Sequence, residues 1–134
     1  MKKLMSLSVL LMISISLTYA QIPVITFEKT EHNFGVIKEE DGFADWTFEF
    51  TNTGDAPLII TNVQQSCGCA PPRGWTREPI PPGGTGTIEA GYNPANRPGA
   101  FRRGLTVMSN AEANVRIYLS GEVTPRPRAV EGEN

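Results

Sequence analysis

The sequence of 134 residues holds one histidine, two cysteines and two tryptophans. A single imidazole, His32, leaves no nucleophile, base and orienting group to be assembled, so the chain reads as a non-enzyme. Two cysteines are too few for a disulfide scaffold and supply only half of a four-ligand zinc site. Positive charge is not in excess. There are 12 basic and 14 acidic residues, for a formal net charge of −2. No basic stripe is present, which argues against a nucleic-acid partner. The one long apolar run, Leu4 to Leu17, falls short of the ~20 residues a membrane helix needs. Beyond it, no helical spacing of apolar residues lasts more than two turns, and no segment repeats. Gly83-Gly84-Thr85-Gly86 lacks a following lysine and reads as a turn, not a phosphate loop. No G-x-S-x-G motif occurs, and nothing in the sequence asks for a cofactor.

What is present divides the chain in three. Lys2 and Lys3 precede the apolar run, and small Ala20 follows it. Basic start, short apolar middle and small-residue end are the pattern of a secretory signal peptide over residues 1–20, cut after Ala20. The expected destination is the periplasm or the outside of the cell, with no membrane span in the mature chain. No cysteine lies beside the cut, so no lipid anchor is indicated. Residues 21–123 form the expected domain. Residues 124–134, with Pro125 and Pro127 and few apolar groups, read as a disordered tail.

Short alternating or β-rich runs recur through the domain, separated by Gly, Pro, Asn and Asp. That rhythm predicts an all-β, immunoglobulin-like antiparallel sandwich of about seven strands. Ile22 to Phe27 reads as an edge strand because Pro23 cannot donate to a ladder, and His32 to Val36 reads as a second piece of the same edge; counted once, the split strand gives six strands, or seven if its halves occupy different sheets. Asp45 to Asn52 alternates: Trp46, Phe48 and Phe50 are expected in the core, with Thr47, Glu49 and Thr51 in water. Leu58 to Val63 reads as a central strand and Cys67 to Gly84 as a long loop. Thr85 to Tyr92, Phe101 to Ser109 and Val115 to Val123 complete the domain.

Several segments together carry a resemblance. They are FEKTEHNFGVI at Phe27 to Ile37, FEFTNTGDAPLII at Phe48 to Ile60, SCGCAPPRGW at Ser66 to Trp75 and PIPPGGTGTI at Pro79 to Ile88. GYNP at Gly91 to Pro94, PGAFRRGLTVMSN at Pro98 to Asn110 and LSGEV at Leu119 to Val123 continue the series. In this order and spacing the chain resembles the bacterial family called domain of unknown function 1573, from Ile25 to Val123. That family is similar to the ASH and major-sperm-protein-like domains. In those, an aromatic-x-Pro turn and a Gly-Phe strand opening recur, like Tyr92-Asn93-Pro94 and Gly99-Ala100-Phe101. The resemblance implies an immunoglobulin-like fold and export, and it implies no activity. Ala70 stands where the family commonly has Thr.

Cys67-Gly68-Cys69 is the one pair that points to chemistry, and three readings of it stand. The cysteines form a local disulfide or packing feature; they are a redox-labile pair, since strained disulfides reduce easily; or their thiolates take a soft metal such as copper(I). Trp75, just beyond them, is a candidate binding residue because loops on rigid scaffolds often carry recognition. His32 is expected on a solvent-facing edge. Arg97, Arg102 and Arg103 are expected to form a solvated basic patch paired with nearby acids. The resulting reading is an exported, non-catalytic binding or structural module. Its partner would be a protein or envelope component bound near Cys67 to Trp75. A copper or thiol-redox protein using Cys67 and Cys69 is the alternative.

Overall fold

In a computed structural model, the described residues are 20–67 and 70–127. The expected signal peptide, apart from Ala20, the Gly68-Cys69 pair and the tail from residue 128 lie outside them. Eight strands form two four-stranded sheets packed face to face as a β-sandwich. They are β1 (Ile25–Phe27), β2 (Glu31–Lys38), β3 (Ala44–Asn52), β4 (Ile60–Gln65), β5 (Pro72–Trp75), β6 (Thr85–Tyr92), β7 (Gly99–Ser109) and β8 (Val115–Thr124). One sheet has the order β1-β3-β6-β5 and the other β2-β8-β7-β4. A single 3-10 turn, Glu39–Asp41, links β2 to β3.

The core is built from the alternating strands. Phe48 and Phe50 of β3, Ile88, Ala90 and Tyr92 of β6, and Ile117 and Leu119 of β8 are all buried. Each strand has a period of two, so one face turns inward and the intervening polar residues meet water. Tyr92 and Phe101 stack at 3.7 Å between ring centroids, with their planes 4° apart. Those two residues flank the turn by which the chain crosses from one sheet to the other, and their contact pins that crossing.

Asn52 is the one fully buried polar side chain among the described residues. Its Nδ2 donates to the carbonyls of Ala56 (2.7 Å) and Ile80 (2.9 Å). Its Oδ1 accepts from the backbone N–H of Gly54 (3.0 Å) and Val24 (3.4 Å). One side chain thus ties together the N-terminal segment, the turn after β3 and the loop before β6. Four partners satisfy the amide in full, which makes its burial tolerable.

Four expectations are corrected. First, β2 leaves the sheet of β1 and pairs with β8 of the other sheet, in parallel, so the sandwich is not wholly antiparallel. The chain crosses between the sheets within Glu28 to Glu31: the N–H of Glu28 still bonds the carbonyl of Glu49, while Glu31 already pairs with Tyr118 of β8. Second, the segment around Leu58 to Val63 supplies β4, an edge strand and not a central one. Its apolar look arises because Leu58, Ile60 and Val63 are buried while Ile59 is turned out, 39% exposed. Third, Cys67 to Gly84 is not a continuous loop: it contains β5, paired with β6, and an isolated bridge from Ile80 to Leu58. Fourth, Thr124 belongs to β8, and the N–H of Arg126 donates to Glu39 at 2.9 Å, so the segment after Val123 starts out tethered.

Candidate functional site

Strand β1 is only three residues long and ends with Phe27 opposite Phe50. Phe27 covers Phe50, with 5.4 Å between ring centroids. Strand β3 continues six residues past that point, down to Ala44, with β6 along one side only. Trp46 therefore has the inward parity of Phe48 and Phe50 but no strand on the β1 side to shut it in. It is 37% exposed where they are 1% exposed. This corrects the expectation of three core aromatics: alternation assigns a face, but only a flanking strand completes the burial.

His32 supplies the cover that Trp46 does receive. It faces inward from β2, half-buried, where a solvent-facing position was expected. Its ring stacks on Trp46 at 3.6 Å, with planes 3° apart, and meets Phe34 edge-on at 4.7 Å. Burial against these rings lowers the His32 pKa below its usual value, and the charge of Lys29 lowers it further. Both effects favour the neutral imidazole.

Beside Trp46 lies an open cavity of about 320 Å³, lined by Glu28, Lys29, Trp46, Thr47, Phe48 and Glu49. Two carboxylates and one ammonium give it a negative balance. On the outer face of the same sheet Asp45 pairs with Arg73 at 3.5 Å, and the Arg73 guanidinium lies 5.0 Å above the Phe43 ring.

The residues singled out from the sequence fall elsewhere. Trp75 sits on β5 and not in a loop. It is half-buried against the core, and the Arg77 guanidinium covers its ring at 3.7 Å. Its Nε1 is buried without a hydrogen-bond partner among the described residues. Cys67 is disulfide-bonded and packs against the core from the segment joining β4 to β5. Cys69 lies outside the described residues. Among those residues, no group of three or more His, Cys, Asp or Glu side chains is placed to hold a metal ion. Arg102 bonds Glu31 at 3.1 Å and lies 3.7 Å above the Tyr118 ring. That partner holds the Glu31 carboxyl below the usual carboxylate range. Arg97 donates instead to the carbonyls of Ala95 and Asn93, so the three arginines do not act as one patch.

Two structural residues escaped the sequence reading. Asn52 is one. Glu39 is the other: it accepts from the N–H groups of Arg126 and Asn96, and both bonds lower its pKa. It fastens the 3-10 turn to the β6–β7 turn and to the chain beyond β8. A carboxylate that bonds only backbone N–H groups far away in sequence leaves no local spacing to find.

No helix of the described residues is long and apolar enough to cross a membrane. No curated protein matches the chain. Solved structures do. A protein of unknown function from Porphyromonas gingivalis aligns with a TM-score of 0.67 at 21% identity, over 80% of this chain and 50% of that one. The secreted serine protease VesC of Vibrio cholerae aligns with a TM-score of 0.56 at 18% identity, over 74% of this chain and 23% of that one. The CupB2 chaperone of Pseudomonas aeruginosa aligns with a TM-score of 0.50 at 14% identity, over 73% of this chain and 55% of that one. The chain thus spans about half the length of the Porphyromonas gingivalis structure and less than a quarter of VesC. At these identities the likeness is one of fold. Residues 25–123 match the family described as "Protein of unknown function (DUF1573)", and the chain belongs to that family.

Proposed function

We propose that the domain is an exported, non-catalytic binding module that holds a protein or envelope component on the flank of β3. Trp46 carries this reading. It is 37% exposed on a strand whose other inward aromatics are 1% exposed, and it borders an open cavity of about 320 Å³. An amphipathic aromatic left at the rim of a rigid sandwich offers contact area with little rotamer entropy to lose. The module reading moves the docking surface from Trp75 to Trp46, because Arg77 and the core already occupy the Trp75 ring. Export rests on the basic, apolar and small-residue pattern of residues 1–20.

The test is photo-crosslinking in intact cells that make the protein. A photoreactive residue is placed at Thr47, beside the cavity, or at Gln64 on the opposite side of the sandwich. A discrete adduct is expected from position 47, absent from position 64 and abolished by Trp46→Ala in a folded chain. Equal labelling from both positions, or none from position 47, overturns the assignment.

A thiol-redox role is the second reading, favoured by the disulfide at Cys67 in a chain whose one other cysteine is Cys69. Metal binding there requires reduction first, because the thiolate is the ligand.

A further inference from the structure

We propose that the flank of β3 receives an extended peptide as an added antiparallel strand. A basic side chain of the peptide lies opposite Thr47, between apolar ones opposite Phe48 and Trp46. This rests on the module reading and adds the chemical class of the partner and its manner of attachment.

The backbone directions follow from the bonds that β1 makes. The N–H of Glu28 donates to the carbonyl of Glu49 at 3.1 Å, and the N–H of Thr53 donates to the carbonyl of Val24 at 2.9 Å. In an antiparallel strand, residues alternate between one neighbour and the other. The odd-numbered residues of β3 therefore present N–H and C=O to the β1 side, and Asp45 and Thr47 do so below the point where β1 stops. There, the β1 track holds no strand of the described residues.

This flank is also the regular one. Strand β3 pairs with β6 in unbroken register from Ala44 opposite Tyr92 to Thr51 opposite Thr85. The outer strands are all blunted. Strands β2, β4 and β5 each carry a register shift, at Asn33/Val36, Ile60/Asn62 and Pro72/Gly74. Strand β1 is three residues long and follows Pro23. Bulges, proline and shortness are the devices that discourage strand pairing at an edge. The half of β3 below β1 has none of them.

The register assigns side chains. The pairing that sets Phe27 opposite Phe50 sets Glu28 opposite Glu49, and the next positions on that track lie opposite Phe48, Thr47 and Trp46. Residues opposite Phe48 and Trp46 point inward, so apolar groups there cover the exposed part of Trp46. The residue opposite Thr47 points outward, diagonal to the Glu28–Glu49 pair on one side and, on the other, to Asp45, which Arg73 already pairs. Like charges directly opposite each other are unfavourable, and a lysine or arginine at that position relieves the Glu28–Glu49 pair. A second copy of this flank would bring the same carboxylates against themselves, so charge selects a basic, apolar-alternating peptide over self-pairing.

The probe is an acetylated, C-terminally labelled Val-Lys-Val-Thr-Val amide titrated into the mature protein at low salt, where charge pairing is least screened. Saturable binding is expected. N-methylating the lysine amide removes the bond to the Thr47 carbonyl and is expected to weaken binding at least tenfold, as is replacing the lysine by glutamate. Thr47→Pro removes the matching N–H without touching the β6 ladder and is expected to do the same. The paired Glu28→Lys and Glu49→Lys changes provide a second variant should Thr47→Pro unfold, with the thermal midpoint checked for each. No binding of the parent peptide, or equal binding of its N-methylated form, overturns strand addition. A dimer in sedimentation that Thr47→Pro dissociates also overturns it, since the flank is then filled by a second copy. Crosslinking from position 47 in cells without peptide binding leaves the module reading standing and removes this one.

Discussion

The rings of His32 and Trp46 lie parallel at 3.6 Å, one from each sheet, at the side of the sandwich where β1 has ended. The contact joins the two sheets beyond the end of β1, where β3 is left as the outermost strand of its sheet. Burial and the charge of Lys29 both favour the uncharged imidazole in this contact.

Part of the stability lost on acidification should therefore trace to His32. The folded pKa is depressed below 6.5, so the unfolded chain binds the proton more readily. The His32 contribution is fully present above the unfolded value and is lost as pH falls from there through the folded value. Thermal midpoints at pH 8 and pH 5 should drop further in the parent than in His32→Phe, which keeps a ring and cannot titrate. Equal drops would show that the stack is indifferent to charge.

Asn52→Ala should cost about 3 kcal/mol in urea unfolding. It leaves the carbonyls of Ala56 and Ile80 buried without their donor and the N–H of Gly54 without its acceptor. Asn52→Asp should be no better, since it keeps the acceptor and loses both donated bonds. A loss below ~1 kcal/mol for either would mean that water replaces the amide.

Gly54→Ala should release the N-terminal segment. A Cβ there would lie 2.5 Å from the backbone N of Val24 and 2.9 Å from the carbonyl carbon of Pro23. Backbone cannot step aside as a flexible side-chain tip can. Hydrogen exchange at Thr53 and Asp55, whose N–H groups bond the carbonyls of Val24 and Ile22, should accelerate well before global unfolding. Unchanged protection at both would show that the segment accommodates a methyl group.

The oxidised protein should weigh about two mass units less than its reduced form, in keeping with one intramolecular disulfide. If the expected pairing with Cys69 holds, the closed loop is very short, and Cys67→Ser should lower stability by only about 1–2 kcal/mol. Loss of folding on reduction would make the pair a structural staple. Reduction by mild thiol with the fold intact would strengthen the redox reading.

Legibility followed the range of the interactions. Strand β6 matches its expected bounds, and β3, β7 and β8 match within a residue or two, because alternation is written locally in Phe48, Phe50, Ile88, Leu105 and Ile117. The sheet to which β2 belongs was not legible, since His32 and Phe34 would alternate alike in either. Strand β5 was hidden by Pro71, Pro72 and Gly74, which mark a loop by composition and are tolerated here at an edge. The site suffered most. Cys67 and Trp75 attract notice as residue types, yet one is disulfide-bonded and the other is capped by Arg77.

The sequence by itself determined a sandwich of alternating strands and the family to which the chain belongs, because period, turn chemistry and motif order are properties of neighbours along the chain. Only the tertiary structure decided that β1 stops at Phe27, that Trp46 is left at a rim and that Thr47 turns its backbone to an open flank. Those facts depend on where a second strand ends in space, and no residue of β3 encodes the length of its neighbour.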